Sequence, residues 1–189
     1  MTTRLHLFSL AATTAVRKGC FPDDETLDER GVRETLACGL TEWLPADARL
    51  LCAPSALALA TAALLPRPAQ VEVALADMDY GRWHGQSLGD VASAEPDALA
   101  AWLQHPDAPA GGAACFSDVL QRVGAWLDQL AATEHASEIV ALTHPMVIRA
   151  AILHALGAPA VAFTRIQVPP LCRFELRRAA HGWHWWPAR

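Results

Sequence analysis

The 189-residue chain predicts an α/β fold: a three-layer α/β/α sandwich with a mainly parallel central sheet, residues 1–189 forming a single domain. Three observations carry that expectation. Short strand-like apolar segments alternate with segments of helical periodicity, the pattern of a parallel sheet covered on both faces. Apolar residues make up 52% of the chain, enough for a large core and too many for a disordered polymer. No internal repeat, long linker or low-complexity tail interrupts the alternation.

Each element follows in order. TRLHLFSL opens the chain as a strand. LDERGVRETLACGLTEWL reads as one helix, with Val32, Leu36 and Leu40 on a common face. ARLLCAP is a short buried strand ended by Pro54, and SALALATAALL an alanine-rich helix with Ser55 as its cap. VEVALADMDYGRWHG begins as a strand and becomes a glycine-punctuated loop. PDALAAWLQH is a helix and HPDAPAGGAA a loop. FSDVLQRVGAWLDQLAATE is a long amphipathic helix that turns Val119, Val123, Trp126, Leu127 and Leu130 inward. SEIVALTH is a buried strand running beside the first, followed by the helix PMVIRAAILHALG. Pro145 is tolerated in that helix's first turn, and Gly157 ends it. FTRIQV, CRFELRR and GWHWWP read as strands of a C-terminal meander, with Trp183 and Trp185 on one face and His184 and Trp186 on the other.

Composition narrows the function. A net charge of −5 argues against nucleic acid, which wants a basic face. No apolar run reaches the ~18–20 residues of a membrane span. The apolar LHLFSLAATTAV stretch is interrupted by His6 and followed by polar RKGCFPDDET, a poor secretory leader. Cys20, Cys38, Cys52, Cys115 and Cys172 form no C-x-x-C pair and read as reduced thiols in a cytoplasmic protein. Eight histidines show no metal-binding spacing, so neither metal nor cofactor is expected.

In open parallel sheets, ligands bind beyond the carboxyl ends of strands. Two such ends stand out, LFSLAAT and LTHPM. Five segments, in order, then resemble the histidine phosphatase superfamily, the phosphoglycerate mutase-like proteins. LDERG is similar to the family's leucine-threonine-glutamate-x-glycine segment. CAPSALALATAALL resembles its serine-proline-leucine-x-arginine-alanine-x-glutamine-threonine-alanine segment, and LADMDYGRWHG the segment carrying its acid. CFSDVLQRV resembles the helix after its glycine-glutamate-serine turn, and IVALTHPMVIRAAILHALGAP the segment with its second histidine. KGCFPDD resembles a stretch of the alpha-ribazole phosphatase branch.

That resemblance implies a phosphohistidine mechanism: a neutral histidine attacks phosphorus, two arginines and a second histidine hold the phosphoryl oxygens, and an acid protonates the leaving group. Carried over by position, most of these groups are missing. The arginine-histidine-glycine-glutamate-threonine run falls on Ser9, Leu10, Ala11, Ala12 and Thr13, so the nucleophile position is Leu10. The second arginine falls on Leu57, the acid on Asp77, and the glycine-glutamate-serine turn on Ala113, Ala114 and Cys115. His144 alone matches, followed by Pro145 and Met146 where the family has glycines. Hydrogen bonds to charged groups contribute roughly 1.5–3 kcal/mol each, so losing both arginines abolishes useful phosphate affinity.

The resemblance thus places His144 and Asp77 as catalytic remnants, and Ser9, Leu10, Thr13, Leu57, Trp83 and His144 around a substrate pocket. Such a pocket either closes on its leucines, the simpler outcome, or takes a neutral, partly apolar ligand. Trp83 reads equally well as a core or lid residue, His84 as a surface residue, Arg17 and Lys18 as a solvated pair, and Cys115 as inert. Three functions remain open: a pseudoenzyme binding an unknown small molecule or protein, a weak phosphomonoester hydrolase using His144 and Asp77, and a structural role. A homodimer is compatible with each.

Overall fold

The structure is a computed structural model describing residues 3–133 and 138–187. Glu134 and Ser137, at the ends of a sequence-predicted helix and strand, lie outside the described residues. Its elements are β1 (Arg4–Ser9), α1 (Thr14–Arg17), α2 (Glu29–Ala37), α3 (Leu40–Trp43), β2 (Arg49–Cys52), α4 (Ala56–Ala62), β3 (Gln70–Val71), α5 (Leu88–Ala94) and α6 (Pro96–Gln104). α7 (Phe116–Thr133), β4 (Glu138–Thr143), α8 (Pro145–Leu156), β5 (Arg173–Ala179) and β6 (Gly182–Trp186) complete them. Single 3-10 turns cover Val73–Leu75, Gly81–Trp83, Ala110–Gly112 and Ala160–Arg165.

Six strands form one sheet in the order β3-β2-β4-β1-β5-β6. The first four run parallel, with Leu5 opposite Ile139 and Leu51 opposite Ala141. β5 and β6 add an antiparallel hairpin on the far side of β1. Period-2 alternation sorts the side chains onto two faces. His6, Leu50 and Val140 share one face, where His6 meets the Trp43 ring edge-on at 4.8 Å and Trp43, Leu44 and Leu65 cover the rest. Leu5, Leu7, Ile139 and Ala141 join the larger core, to which α7 and α8 contribute Val123, Leu127, Ile148 and Leu153. All five α7 residues expected inward are buried. The result is an α/β/α sandwich, with parallel strands β1, β4 and β2 ending on one edge.

Four local expectations need correction. The 27–44 helix is two helices, because Gly39 sits at φ 75°, a left-handed conformation that ends a helix. Its buried face is Gly31 and Thr35, not Val32 and Leu36, which are half-buried and exposed. A Cβ on Gly31 would lie 2.8 Å from the Leu27 side chain and in van der Waals contact with Ala11 at 3.8 Å, so α2 packs against the loop after β1. The strand expected from Val71 is only two residues, Gln70–Val71, before the chain winds into a 3-10 turn whose Leu75 is fully buried. FTRIQV is no strand: Phe163 stacks on Phe116 at 4.5 Å, and Arg149 Nε donates to the Ile166 carbonyl. Finally, β6 is an edge strand, and it buries Trp183 while Trp185 and Trp186 stay exposed.

Candidate functional site

The ends of β1, β2 and β4 meet at one place. Leu10 N–H donates to the Thr143 carbonyl, and Ala53 N–H donates to the Leu142 carbonyl. The residues that follow these strands therefore share one wall. After β4 comes His144, buried at the N-cap of α8, where Pro145 takes the first helical position, which needs no N–H. After β2 comes Ser55, the N-cap of α4, whose Oγ accepts from Ala58 N–H at 3.2 Å.

His144 bridges two side chains. Its Nε2 lies 2.8 Å from Ser55 Oγ, and its Nδ1 lies 3.4 Å from Asp77 Oδ2. A carboxylate only accepts, so with the proton on Nδ1, facing Asp77, Nε2 is free to accept from the Ser55 hydroxyl. Asp77 is held from behind by Arg122 of α7, which donates to the Ala76 carbonyl and reaches the Asp77 carbonyl at 3.4 Å. The other Asp77 oxygen, Oδ1, is buried with no hydrogen-bond partner among the described residues, as is Ser9 Oγ.

These residues face a cavity of about 510 Å³. Ser9, Leu10, Ala11, Ala12 and Thr13 from the loop after β1 line it, with Leu57, Asp77 and His144. The structure thus brings together all the sequence-predicted site residues but one. Trp83 is fully buried, because its 3-10 turn points the indole inward, where Nε1 donates to Glu95 at 3.2 Å. Its neighbours Phe21 and Trp102, at 5.2 and 6.0 Å, line the cavity in its place. The cavity is open: Leu10 and Leu57 are packed into its wall instead of across it. Half-exposed Val16, Leu88 and Leu103 also line it, giving an apolar rim.

Charge on the wall is mostly negative. Asp23, Asp24, Glu25 and Asp77 stand against Arg149 among the lining residues. Arg149 is partly desolvated, and that burial pulls its pKa down against the opposing pull of Asp77. Its Nε is bonded to the Ile166 carbonyl. Burial, then the Asp77 charge, pushes the Tyr80 hydroxyl well above its ordinary value, so it stays neutral. Arg17, expected to be solvated, is instead anchored by Asp28, Thr14 and the Ala12 carbonyl beneath the loop. Lys18 is exposed. His84 is exposed as expected, yet ordered between the Pro22 carbonyl at 2.8 Å and Asp79 at 2.9 Å. Burial disfavours its charge, but those two acceptors prevail and raise its pKa. Burial and Asp118 raise the Cys115 thiol, keeping it protonated. Among the described residues no cluster of three or more His, Cys, Asp or Glu could hold a metal ion. Nor is any described helix long and apolar enough to cross a membrane.

Sequence reasoning missed Ser55 as a site residue, along with Arg149 and the Leu88–Leu103 rim. A signal for Ser55 existed: CAPS is the end of a third parallel strand, and in the segment it resembles this position is leucine.

Fold and site edge together define a class. The chain matches the histidine phosphatase superfamily (branch 1) over residues 12–186 and belongs to it. Its fold is that of the alpha-ribazole phosphatase from Shigella flexneri, with TM-score 0.82 and 22% identity over 96% of this chain and 94% of that one. It is equally close to a mycobacterial glucosyl-3-phosphoglycerate phosphatase in complex with VO3, with TM-score 0.82 and 20% identity over 96% and 95% of the two chains. In sequence, it is 25% identical over 147 residues to a bifunctional protein of Mycobacterium tuberculosis. That stretch is 75% of this chain but 40% of the mycobacterial protein, so the similarity spans well under half of such relatives.

Proposed function

We propose that this superfamily member no longer transfers phosphoryl groups and instead binds a neutral, partly apolar small molecule in the cavity beyond β1, β2 and β4. The observation that carries this reading is the wall itself. Leu10, at the position of the family's nucleophile, is buried at the end of β1 next to the His144 strand end. Leucine has no lone pair with which to attack phosphorus. The family's arginine positions fall on Ser9 and Leu57, and the lining carboxylates outnumber Arg149. Phosphoryl transfer depends on positioning and on positive charge around the equatorial oxygens. A wall rich in carboxylates and leucines opposes both. An open, largely apolar cavity with a few polar groups is the usual form of a small-molecule site.

The His144–Asp77 pair favours a second reading, a weak phosphomonoester hydrolase, since a histidine and an aspartate side chain meet at 3.4 Å. It lacks a cationic clamp for the dianion. An assay with p-nitrophenyl phosphate near neutral pH separates the two. Our reading expects no turnover above background, since uncatalysed hydrolysis of phosphate monoesters is extremely slow. Turnover of ~1 s⁻¹, a typical enzyme rate, lost in His144→Ala, would establish the second reading. The bifunctional mycobacterial relative is too long for its activities to be transferred whole to this chain; a ligand-binding role for this one domain is the part we propose.

A further inference from the structure

We infer that Ser55, His144 and Asp77 form a nucleophile–base–carboxylate relay that hydrolyses carboxylic esters of apolar acyl chains. The inference rests on the apolar-ligand reading of the cavity and adds chemistry to it.

A hydroxyl becomes a useful nucleophile when a base lies within hydrogen-bond reach and a third group orients that base. Both conditions hold here. Ser55 Oγ is 2.8 Å from His144 Nε2, within the usual range for such a pair. Nδ1 of the same ring is 3.4 Å from Asp77 Oδ2, a carboxylate placed to favour a proton on Nδ1 and to stabilise the imidazolium. The three residues come from the ends of different segments, with Ser55 and His144 89 positions apart, so this is a tertiary arrangement and not a local turn. Ser55 is half-buried and lines the cavity, so its hydroxyl is accessible from the space a ligand would fill. The apolar rim of Val16, Leu88 and Leu103 suits an acyl chain, and the wall carboxylates disfavour anionic substrates.

The chemistry balances. Ser55 Oγ bonds to the ester carbonyl carbon while its proton passes to His144 Nε2. The tetrahedral adduct collapses, the ester C–O bond breaks, and the departing alcohol takes the proton from Nε2. Water then adds to the acyl-serine and gives a proton to Nε2. The bond to Ser55 Oγ breaks, the proton returns to that oxygen, and a carboxylic acid leaves. Ester and water become acid and alcohol.

The test uses the full chain with three probes: an alkyl fluorophosphonate, p-nitrophenyl esters of acetate and octanoate, and octanamide. The fluorophosphonate should modify Ser55, seen as a mass increase on its peptide, and the octanoate ester should be cleaved faster than the acetate. Ser55→Asn keeps a cap acceptor for Ala58 but no nucleophile, and His144→Ala removes the base. Each should lower ester hydrolysis at least about 100-fold, as loss of one member of a cooperating set does. Asp77 acts through His144 as a positioning residue. Asp77→Asn should lower kcat while leaving KM within about twofold, since it removes a contact made to the charged ring and not to substrate. Labelling at another residue, no labelling, or hydrolysis by Ser55→Asn within threefold of wild type would overturn the inference. Octanamide separates the two failures. If it raises the melting temperature while Ser55 stays unmodified, the relay falls and the binding reading stands; if it gives no shift and Ser55 stays unmodified, both fall.

Discussion

Leu10 and His144 stand at the ends of adjacent parallel strands, and their difference in chemistry sets what the site can do. If the proposed loss of the phosphoryl-transfer groups holds, putting back one of them should not yield phosphoryl transfer. Leu10→His places an imidazole where the lining carboxylates still outnumber Arg149 and where, on the proposed correspondence with the family, Ser9 and Leu57 stand in for its arginines. Residues that act as a unit contribute non-additively. No phosphohistidine should therefore be detectable by mass spectrometry after incubation with an aryl phosphate, and a stable phosphohistidine in that single variant would contradict the charge argument. Ser55 has a structural duty as well. Ser55→Ala removes the Oγ that accepts from Ala58 N–H and should cost about 1 kcal/mol in urea denaturation, the usual penalty for a lost cap. Ser55→Asn should recover most of it. His144, Asp77, Ser9, Leu10, Thr13 and Leu57 were legible in the sequence as wall positions, because strand ends and motif order fix them. Trp83 was not, because a glycine-rich turn does not reveal which way an indole points. Ser55 escaped notice because its cap role explains the residue fully at the level of the helix.

Between elements, two contacts shape the cavity. In the first, Asp28 caps α2 through Gly31 N–H at 2.7 Å, accepts from the Thr14 hydroxyl at 2.8 Å, and pairs with Arg17. The Gly31 N–H is the largest influence, and with Thr14 and Arg17 it lowers the Asp28 pKa to about 2. A depressed carboxyl stabilises the fold above its unfolded value, ~3.9, and loses that contribution as pH falls through the folded value. Wild type should therefore lose more stability than Asp28→Asn between pH 5 and pH 2, read from urea midpoints. Equal losses would show that the clamp joining α1 to α2 is not felt in folding. In the second contact, Gly111 has φ 53°, and a Cβ there would lie 2.1 Å from the Tyr80 carbonyl. Gly111→Ala should destabilise by roughly 2 kcal/mol or more, since it combines strain with a backbone clash. Because Tyr80 lines the cavity, the same change should weaken ligand binding. The sequence showed a glycine-punctuated loop here but not this contact, which depends on two turns about thirty residues apart, Gly81–Trp83 and Ala110–Gly112. The splitting of the 27–44 helix at Gly39 was missed for a related reason. The apolar spacing continues through the glycine, while its left-handed backbone does not.

At the scale of the molecule, the sandwich was legible because buried parallel strands read as continuous apolar runs between periodic helices. ARLLCAP, SEIVALTH and TRLHLFSL all become neighbours in the sheet. FTRIQV was misread because apolar alternation cannot tell a strand from a segment pinned by one aromatic, Phe163, against α7. Ile139, fully buried in the central strand β4, supports the layer between β1 and β2. Ile139→Ala should cost about 2–5 kcal/mol, the range for a large-to-small change in a packed core. What neither composition nor motif order conveyed is that the cavity stays open, since that depends on α5 and α6 standing Leu88 and Leu103 at its rim. The most direct test is a thermal unfolding titration of the wild-type protein with octanamide in parallel with orthovanadate and inorganic phosphate. A ligand that binds only the folded state raises the melting temperature with concentration. The account predicts a concentration-dependent rise with octanamide, diminished in Leu103→Lys, and no rise with either anion at low millimolar concentration. A clear rise with vanadate, lost in His144→Ala, and none with octanamide would contradict it.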